Sequence, residues 1–315
     1  MTFHPDSLPD LTGKVYIVTG GTSGIGYYTV ARLAQHGAHV YLCARSQTKG
    51  AKATKGIKAL YPNAHISILE MDHLSLSSVV SAAKEFLSKE TALHGLVNNA
   101  GIMATPFEIS KDGYEAQFQT NYIAHWVFTY HLLPLLLATA KGLPPGSVRI
   151  VGVTSSGHLV APKGGINFDD ISLKNSAPMD RYGQSKLANI LHIKTLNKLY
   201  GPDSAKAKAG GGEIWTAAVH PGVVESQLGE HVESLSMWLR LVASLVRVGG
   251  DEGSWSSVFC AASPGMKRQQ SGMYYCQRSV LVEPSYQSSA AKDLDLAARL
   301  EEWTSKEMKK GGWIE

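Results

Sequence analysis

The chain reads as an α/β protein: a single domain built on a doubly wound parallel sheet of about seven strands flanked by helices. Three observations predict this. Short β-branched runs alternate with segments of helical apolar spacing, the pattern of repeated strand and helix units. The first such unit joins its strand to its helix through a glycine cluster. A length of 315 residues with 44% apolar content supplies enough material for one large core.

The first unit runs from a strand at residues 14–19 to a helical pattern at 25–36 that Gly37 stops. Between them lies T-G-G-T-S-G-I-G. Gly20, Gly24 and Gly26 permit a tight turn and let backbone amides approach a pyrophosphate at the positive end of the helix, with Thr22, Ser23 and Ile25 completing the candidate contacts. A glycine cluster alone marks only a turn; its place between strand and helix is what points to a dinucleotide. The second strand, 38–44, ends in C-A-R-S. An NAD site places an acid roughly 20 residues beyond the glycines, and here Arg45 stands nineteen residues past Gly26. Arginine attracts a 2′-phosphate that a carboxylate would repel, so NADP(H) is expected. Lys49, Lys52, Lys55 and Lys58 read as a solvated helix face, with Lys49 in reach of that phosphate.

The third strand, 65–71, ends at Asp72, which either accepts from an adenine amine or caps the helix at 75–89. The fourth, 93–97, runs into N-N-A-G. There Asn98, Ala100 and Gly101 either let the chain pass close to a ribose or form a plain turn. Residues 112–140 are mostly helical, with Pro134 expected to bend them. Asn121 is the polar residue in that apolar stripe, placed to brace backbone or to hold a water. His125 and His131 read as packed or solvent-facing.

The fifth strand, 148–153, ends in T-S-S-G-H, so Ser155 and Ser156 both face the crevice at the carboxyl edge of the sheet. His158 suggests no hydrolase, because no G-x-S-x-G elbow accompanies it. An excursion at 164–180 then leads to Y-G-Q-S-K. Four-residue helical spacing puts Tyr182 and Lys186 on one face. A phenol titrates near pH ~10, and a cation beside it favours the phenolate, bringing it into range as an acid or base. The sixth strand, 213–219, leads to Pro221 and Gly222, after which the amide of Val224 and the hydroxyl of Ser226 are placed to meet a polar ligand. Residues 230–248 form an apolar segment, broken by Arg240 and Arg247, that reads as a lid, an interface or a packed helix. A helix at 251–262, a strand at 273–277, a helix at 291–306 and a frayed tail at 309–315 complete the chain.

Composition narrows the function classes. A net charge of +4 arises from 30 basic and 26 acidic residues scattered along the chain, without the basic-aromatic blocks of a nucleic-acid surface. Cys43, Cys260 and Cys276 lack metal-ligand spacing and suit a reducing compartment. No targeting segment and no run of ~20 apolar residues is visible, so a cytoplasmic protein without a membrane span is expected.

In order, T-G-x-x-x-G-x-G, N-N-A-G, Asn121, Ser155, Y-x-x-x-K and P-G resemble the short-chain dehydrogenase/reductase family over essentially the whole chain. C-A-R-S, G-x-E-x-x-F-Q-x-N, R-I-V-x-V, I-N-F-D-D and Y-x-x-S-K-L-A-N-I-L resemble its retinol dehydrogenase and WW-domain oxidoreductase branch. The resemblance implies a Rossmann-type fold with Tyr182 as general acid or base. Lys186 would lower the pKa of that tyrosine and hold the nicotinamide ribose. Ser155 would bond the substrate oxygen, with Ser156 second, and Asn121 would hold a relay water. Arg45 would meet the 2′-phosphate and Asp72 the adenine. Gly152, Ser226 and N-Y-I-A-H-W depart mildly from the branch, and its membrane anchor is not visible, so a retinoid substrate is not carried over. The expectation is an NADP(H)-dependent oxidoreductase interconverting a ketone or aldehyde and an alcohol on a fairly apolar substrate. It would act in biosynthesis, as a homo-oligomer, dimer or tetramer. A non-redox isomerase or cyclase and a nucleotide-binding sensor are the alternatives.

Overall fold

A computed structural model describes residues 3–222, 249–276, 280–281 and 286–315. Its centre is one sheet of strands β1 (Val15–Val18), β2 (His39–Ala44), β3 (His65–Glu70), β4 (Gly95–Asn98), β5 (Arg149–Val153), β6 (Trp215–Val219), β7 (Met273–Cys276) and β8 (Val280–Leu281). The order is β3-β2-β1-β4-β5-β6-β7-β8. The first seven strands run parallel and β8 joins antiparallel. The chain therefore winds outward from β1 to β3, then crosses to β4 and winds the other way. The crevice between the carboxyl ends of β1 and β4 is where such sheets bind ligands.

Successive strand residues feed opposite cores, as a period of two requires. Val15 and Ile17 join one cluster while Tyr16 and Val18 join the other; Tyr41 and Cys43 alternate in the same way with Val40 and Leu42. On one face lie α1 (Gly24–Gln35), α2 (Gln47–Leu60) and a helix that begins at Gly250; on the other lie α3 (Leu76–Lys89), α4 (Ala124–Lys141), α5 (Pro178–Tyr200) and the C-terminal helix. The Gly250–Ala262 helix is α6 and Leu294–Lys310 is α7. Burial on both faces explains why the strands read as continuous apolar runs.

Several boundaries differ from expectation. The long helix begins at Ala116, not 112, because the backbone of Ser110 pairs with Tyr114 and Glu115 caps the helix from its own carboxylate. It then passes through a π-helical turn, Gln119–Ile123, before α4. Ala116–Lys141 is long and apolar enough to cross a membrane, with a mean hydropathy of 1.3, against the expectation that no stretch would qualify. Its apolar length serves the interior, where Phe118, Tyr122, Val127, Phe128, Leu132 and Leu136 are buried. The tail, expected to fray, is packed instead. His131 Nε2 lies 2.8 Å from the carbonyl of Trp313, and Ile314 is buried. The segment 230–248 lies outside the described residues.

Arg149 ties the centre of the sheet to α6. Its buried guanidinium donates to the carbonyls of Gly146 (Nε, 2.8 Å) and of Ser263 and Cys260 (Nη1, 2.9 and 3.3 Å). The last two are at the C-terminal end of α6, where carbonyls lack intrahelical partners and the helix dipole favours a cation. Replacing Arg149 with Met is expected to cost about 3 kcal/mol. Urea denaturation measures this, and a loss well under ~1 kcal/mol would show that the carbonyls find other partners.

Candidate active site

The turn between β1 and α1 is built by backbone contact. Gly20 and Gly24 have φ of +64° and +53°, which favour glycine. A Cβ on Gly26 would lie 2.3 Å from the Gly20 carbonyl oxygen, and one on Gly20 would lie 2.9 Å from the Ala100 Cα. The turn therefore packs directly on the residues that follow β4. Ser23 is the N-cap of α1, yet its side chain makes no capping bond, so among the described residues the first amides of α1 have no side-chain partner. Thr22 and Ser23 are accessible and Ile25 is buried behind them. Such a turn fits the pyrophosphate of a dinucleotide.

Arg45 is exposed directly after β2 and makes no hydrogen bond or ion pair among the described residues. Asp72 shapes the turn after β3: its Oδ1 accepts from the Leu74 amide at 3.0 Å, while Ser75, not Asp72, caps α3. Asn98 turns its side chain away from the crevice to donate to Thr129 Oγ1 at 3.0 Å. Asn99, which the sequence did not single out, faces the turn instead. Its amide and side chain donate to Thr19 Oγ1 and to the Thr19 carbonyl, both at 2.8 Å, and the Ala100 amide adds a bond to Thr19 Oγ1 at 2.9 Å.

Tyr182 and Lys186 project from the first turns of α5 and are both buried. Lys186 Nζ donates to the Val153 carbonyl at the end of β5, at 3.1 Å, and Asn189 Nδ2 shares that acceptor at 3.1 Å. The Lys186 ammonium is 5.7 Å from the centre of the Tyr182 ring. A Cβ on Gly101 would lie 3.1 Å from Asn121 Oδ1 and 3.3 Å from Lys186 Nζ, so both groups crowd that glycine. Asn121 is fully buried in the π-turn and braces backbone: Oδ1 accepts from the Ile102 amide at 2.8 Å, and Nδ2 donates to the Ile102 carbonyl at 3.0 Å and to Ser185 Oγ at 2.8 Å.

Between the two candidate serines the arrangement discriminates. Ser155 caps the short turn Ser156–Val160 by accepting from the Gly157 amide at 3.0 Å, and its hydroxyl lies close enough to the Tyr182 phenol to favour the ionised form. Ser156 is exposed. His158 is buried, with Nδ1 at 2.8 Å from the Ser155 carbonyl, in keeping with a packed rather than a catalytic histidine. His220, at the end of β6, was not anticipated; burial pulls its pKa down to about 4, and its Nδ1 has no partner among the described residues. Pro221 and Gly222, with φ +89°, turn the chain there. Val224 and Ser226 lie outside the described residues.

Burial raises the Tyr182 pKa, and the neighbouring Ser155 hydroxyl opposes that rise. Burial also pulls Lys186 from its ordinary 10.5 down to about 8. Among the described residues no acidic side chain acts on either group, and loss of solvent is the main influence on both. The site holds a buried phenol beside a buried ammonium, with a serine hydroxyl close to the phenol.

Comparison with known proteins agrees with this geometry. A family model described as short chain dehydrogenase matches residues 14–168. The chain is 50% identical over 313 residues to a short-chain dehydrogenase/reductase, drtF, of Aspergillus calidoustus, covering 97% of each. It is 36% identical to retinol dehydrogenase 12 of Homo sapiens, covering 85% of this chain and 80% of that one. Among solved structures, an uncharacterised protein of Mycobacterium paratuberculosis superposes with a TM-score of 0.73 at 26% identity, covering 98% of both chains.

The buried ammonium has a measurable signature. In the unfolded chain Lys186 keeps its proton up to 10.5, whereas the folded protein releases it near 8. Between those values the unfolded state binds more protons, so stability rises with pH. Below that window the folded state carries a cost of about 3 kcal/mol. Lys186→Met should therefore raise the unfolding free energy near neutral pH, and the gap to wild type should close as pH rises through the window. Denaturant unfolding of both proteins against pH measures this; a gap independent of pH would contradict the burial.

Proposed function

Because the chain belongs to the short-chain dehydrogenase family, we propose that it is an NADP(H)-dependent oxidoreductase that interconverts a ketone or aldehyde and an alcohol on a fairly apolar substrate. The observation that carries this reading is the meeting of Ser155, Tyr182 and Lys186 beside a glycine turn whose helix amides have no side-chain cap.

The β1–α1 turn and the α1 amides would hold the pyrophosphate, residues 99–101 would approach a ribose, and Arg45 would pair with the 2′-phosphate. When bound, the nicotinamide supplies or accepts a hydride. Burial keeps the Tyr182 phenol protonated, which suits it to give a proton to a carbonyl oxygen during reduction and to recover it during oxidation. Ser155 Oγ, close to the phenol, would donate to the same substrate oxygen. Lys186 keeps positive charge at the locus below a pH of about 8. That charge would stabilise the tyrosinate left after transfer.

The 36% identity to retinol dehydrogenase 12 supports kinship with the retinol dehydrogenase branch. Two observations favour an apolar substrate. Leu159 and Val160, shortly after Ser155, are exposed at 57% and 48%. The segment 164–177 is held beside Tyr182 by Gln184, whose Oε1 accepts from the Asn167 amide at 2.8 Å and whose Nε2 donates to the Ile171 carbonyl at 3.0 Å. This leaves an apolar rim next to the reactive groups. The reading takes the protein to act in the cytoplasm without a membrane span, since the single qualifying helix among the described residues is a core element.

The cofactor assignment is tested by fluorescence titration with NADPH and NADH. NADPH is expected to bind at least about tenfold tighter, ~1.4 kcal/mol, and Arg45→Ala to erase the difference. Equal affinities in wild type, or a preference that survives the substitution, would overturn it.

A further inference from the structure

His125 lies in α4, one turn beyond Asn121, and its ring joins two parts of the site that nothing else connects so directly. Its Nε2 is 2.8 Å from Thr19 Oγ1, and its Nδ1 is 2.9 Å from the Asn121 carbonyl. The direction of each bond follows from what the partners can do. The Asn121 carbonyl can only accept, so Nδ1 carries the proton and Nε2 of the neutral ring accepts. The Thr19 hydroxyl accepts from the amides of Asn99 and Ala100, and its proton, for which the Val97 carbonyl at 3.5 Å is the longer alternative, is left to donate to Nε2 at 2.8 Å. Beyond Asn121 the sense continues: Asn121 Nδ2 donates to Ser185 Oγ, and Ser185 Oγ donates to the Tyr182 carbonyl at 2.7 Å.

We infer that His125 is a positioning residue, the link in a one-way chain of hydrogen bonds that runs from the nucleotide-binding turn through Thr19, His125, Asn121 and Ser185 to the backbone of Tyr182. The inference deepens the functional reading above and rests on it for the role of Tyr182. The local fold explains why a histidine is placed there. The π-turn at Gln119–Ile123 shifts the helix ladder, so that the Ala124 amide reaches back five residues to Gln119. Four residues after Asn121, an imidazole supplies a side-chain donor to the Asn121 carbonyl. π-Turns often mark functional sites because they set one residue out of the regular helix. Here that residue braces the Ile102 backbone and the Tyr182 turn together.

The neutral ring that this chain requires is what its surroundings favour. An imidazolium would present donors at both nitrogens and oppose the Thr19 proton. His125 is fully enclosed, and burial, the neighbouring ring of His73 at 4.9 Å and the Lys186 ammonium all disfavour protonation; the Asn121 carbonyl alone favours it.

The test combines a measurement without cofactor with kinetics. Histidine labelled with ¹⁵N in the cofactor-free protein reports which ring nitrogen holds the proton, with His125 identified as the signal missing from His125→Phe. A proton fixed on Nδ1 that does not titrate at mildly acidic pH is expected; a proton on Nε2, or ordinary titration, would overturn the inference whatever the enzyme does. In kinetics with NADPH and an apolar ketone, His125→Phe should lower kcat about 100-fold, as expected for a small misplacement of a reacting group. The ketone KM should change by no more than about twofold. His125→Gln, which keeps a donor and an acceptor, should recover most of the loss. Ser185→Ala breaks the next link, should lower kcat in the same way, and serves if His125→Phe does not fold. Wild-type kcat in a folded His125→Phe, or in Ser185→Ala, would overturn the positioning role, as would a His125→Gln no better than Phe. A wild-type protein that reduces no ketone with NADPH would instead refute the functional reading, leaving the proton position to decide the chain itself.

Discussion

A lysine ammonium buried, among the described residues, without a carboxylate partner is the constraint on which the site depends. Lys186 faces the last carbonyl of β5, shares it with Asn189, and has its own backbone carbonyl bonded by Thr154 Oγ1 at 2.7 Å. The Val153 bond satisfies one of the three ammonium donors and does not replace the water that burial removes, and the depressed pKa of Lys186 records the difference. A protein can hold such a group because two apolar cores, one on each face of the sheet, offset its cost. A local expense with no structural benefit is the mark of a functional position.

The first turns of α5 are the hub around which the rest is fixed. Arg181 donates to the Ser176 and Thr105 carbonyls at 2.7 and 3.3 Å, Gln184 holds the segment before the helix, and Ser185 receives Asn121. Gly183 allows this crowding, since a Cβ there would lie 2.8 Å from the Gly157 carbonyl oxygen, in the turn that follows Ser155. The proposed catalytic groups and the loops proposed to face the substrate therefore share one helix. A change at the rim is felt at Tyr182 through backbone contacts that have little room to relax.

Much of this was legible in the sequence because the physics is local. The strands are buried on both faces and so announce themselves as apolar runs; the glycine turn lies between its strand and helix; and Tyr182 and Lys186 need only helical spacing to meet. What stayed hidden depends on register and on tertiary partners. Reading the fourth strand as ending at Val97 instead of Asn98 obscured which asparagine faces the turn, since adjacent strand residues point to opposite sides. Asp72 could not be distinguished as a turn former without the Leu74 amide. The π-turn and the role of His125 carry no composition signal, because a histidine in an apolar stripe looks the same whether it is packed or linking. Spacing shows that Tyr182 lies near a cation, whereas the burial of both groups needs the tertiary fold.

The central claim is that these groups support hydride transfer to a carbonyl. Its most direct test is a single turnover with an apolar ketone and NADPH carrying deuterium on one face of nicotinamide C4, with the product alcohol followed by mass spectrometry. With one deuterated face, the label should appear quantitatively in the alcohol, Tyr182→Phe should abolish the transfer, and deuterium on the opposite face should stay with the oxidised cofactor. Product formed without oxidation of NADPH, or oxidation that leaves no label in the alcohol from either face, would contradict the assignment of the site to hydride transfer.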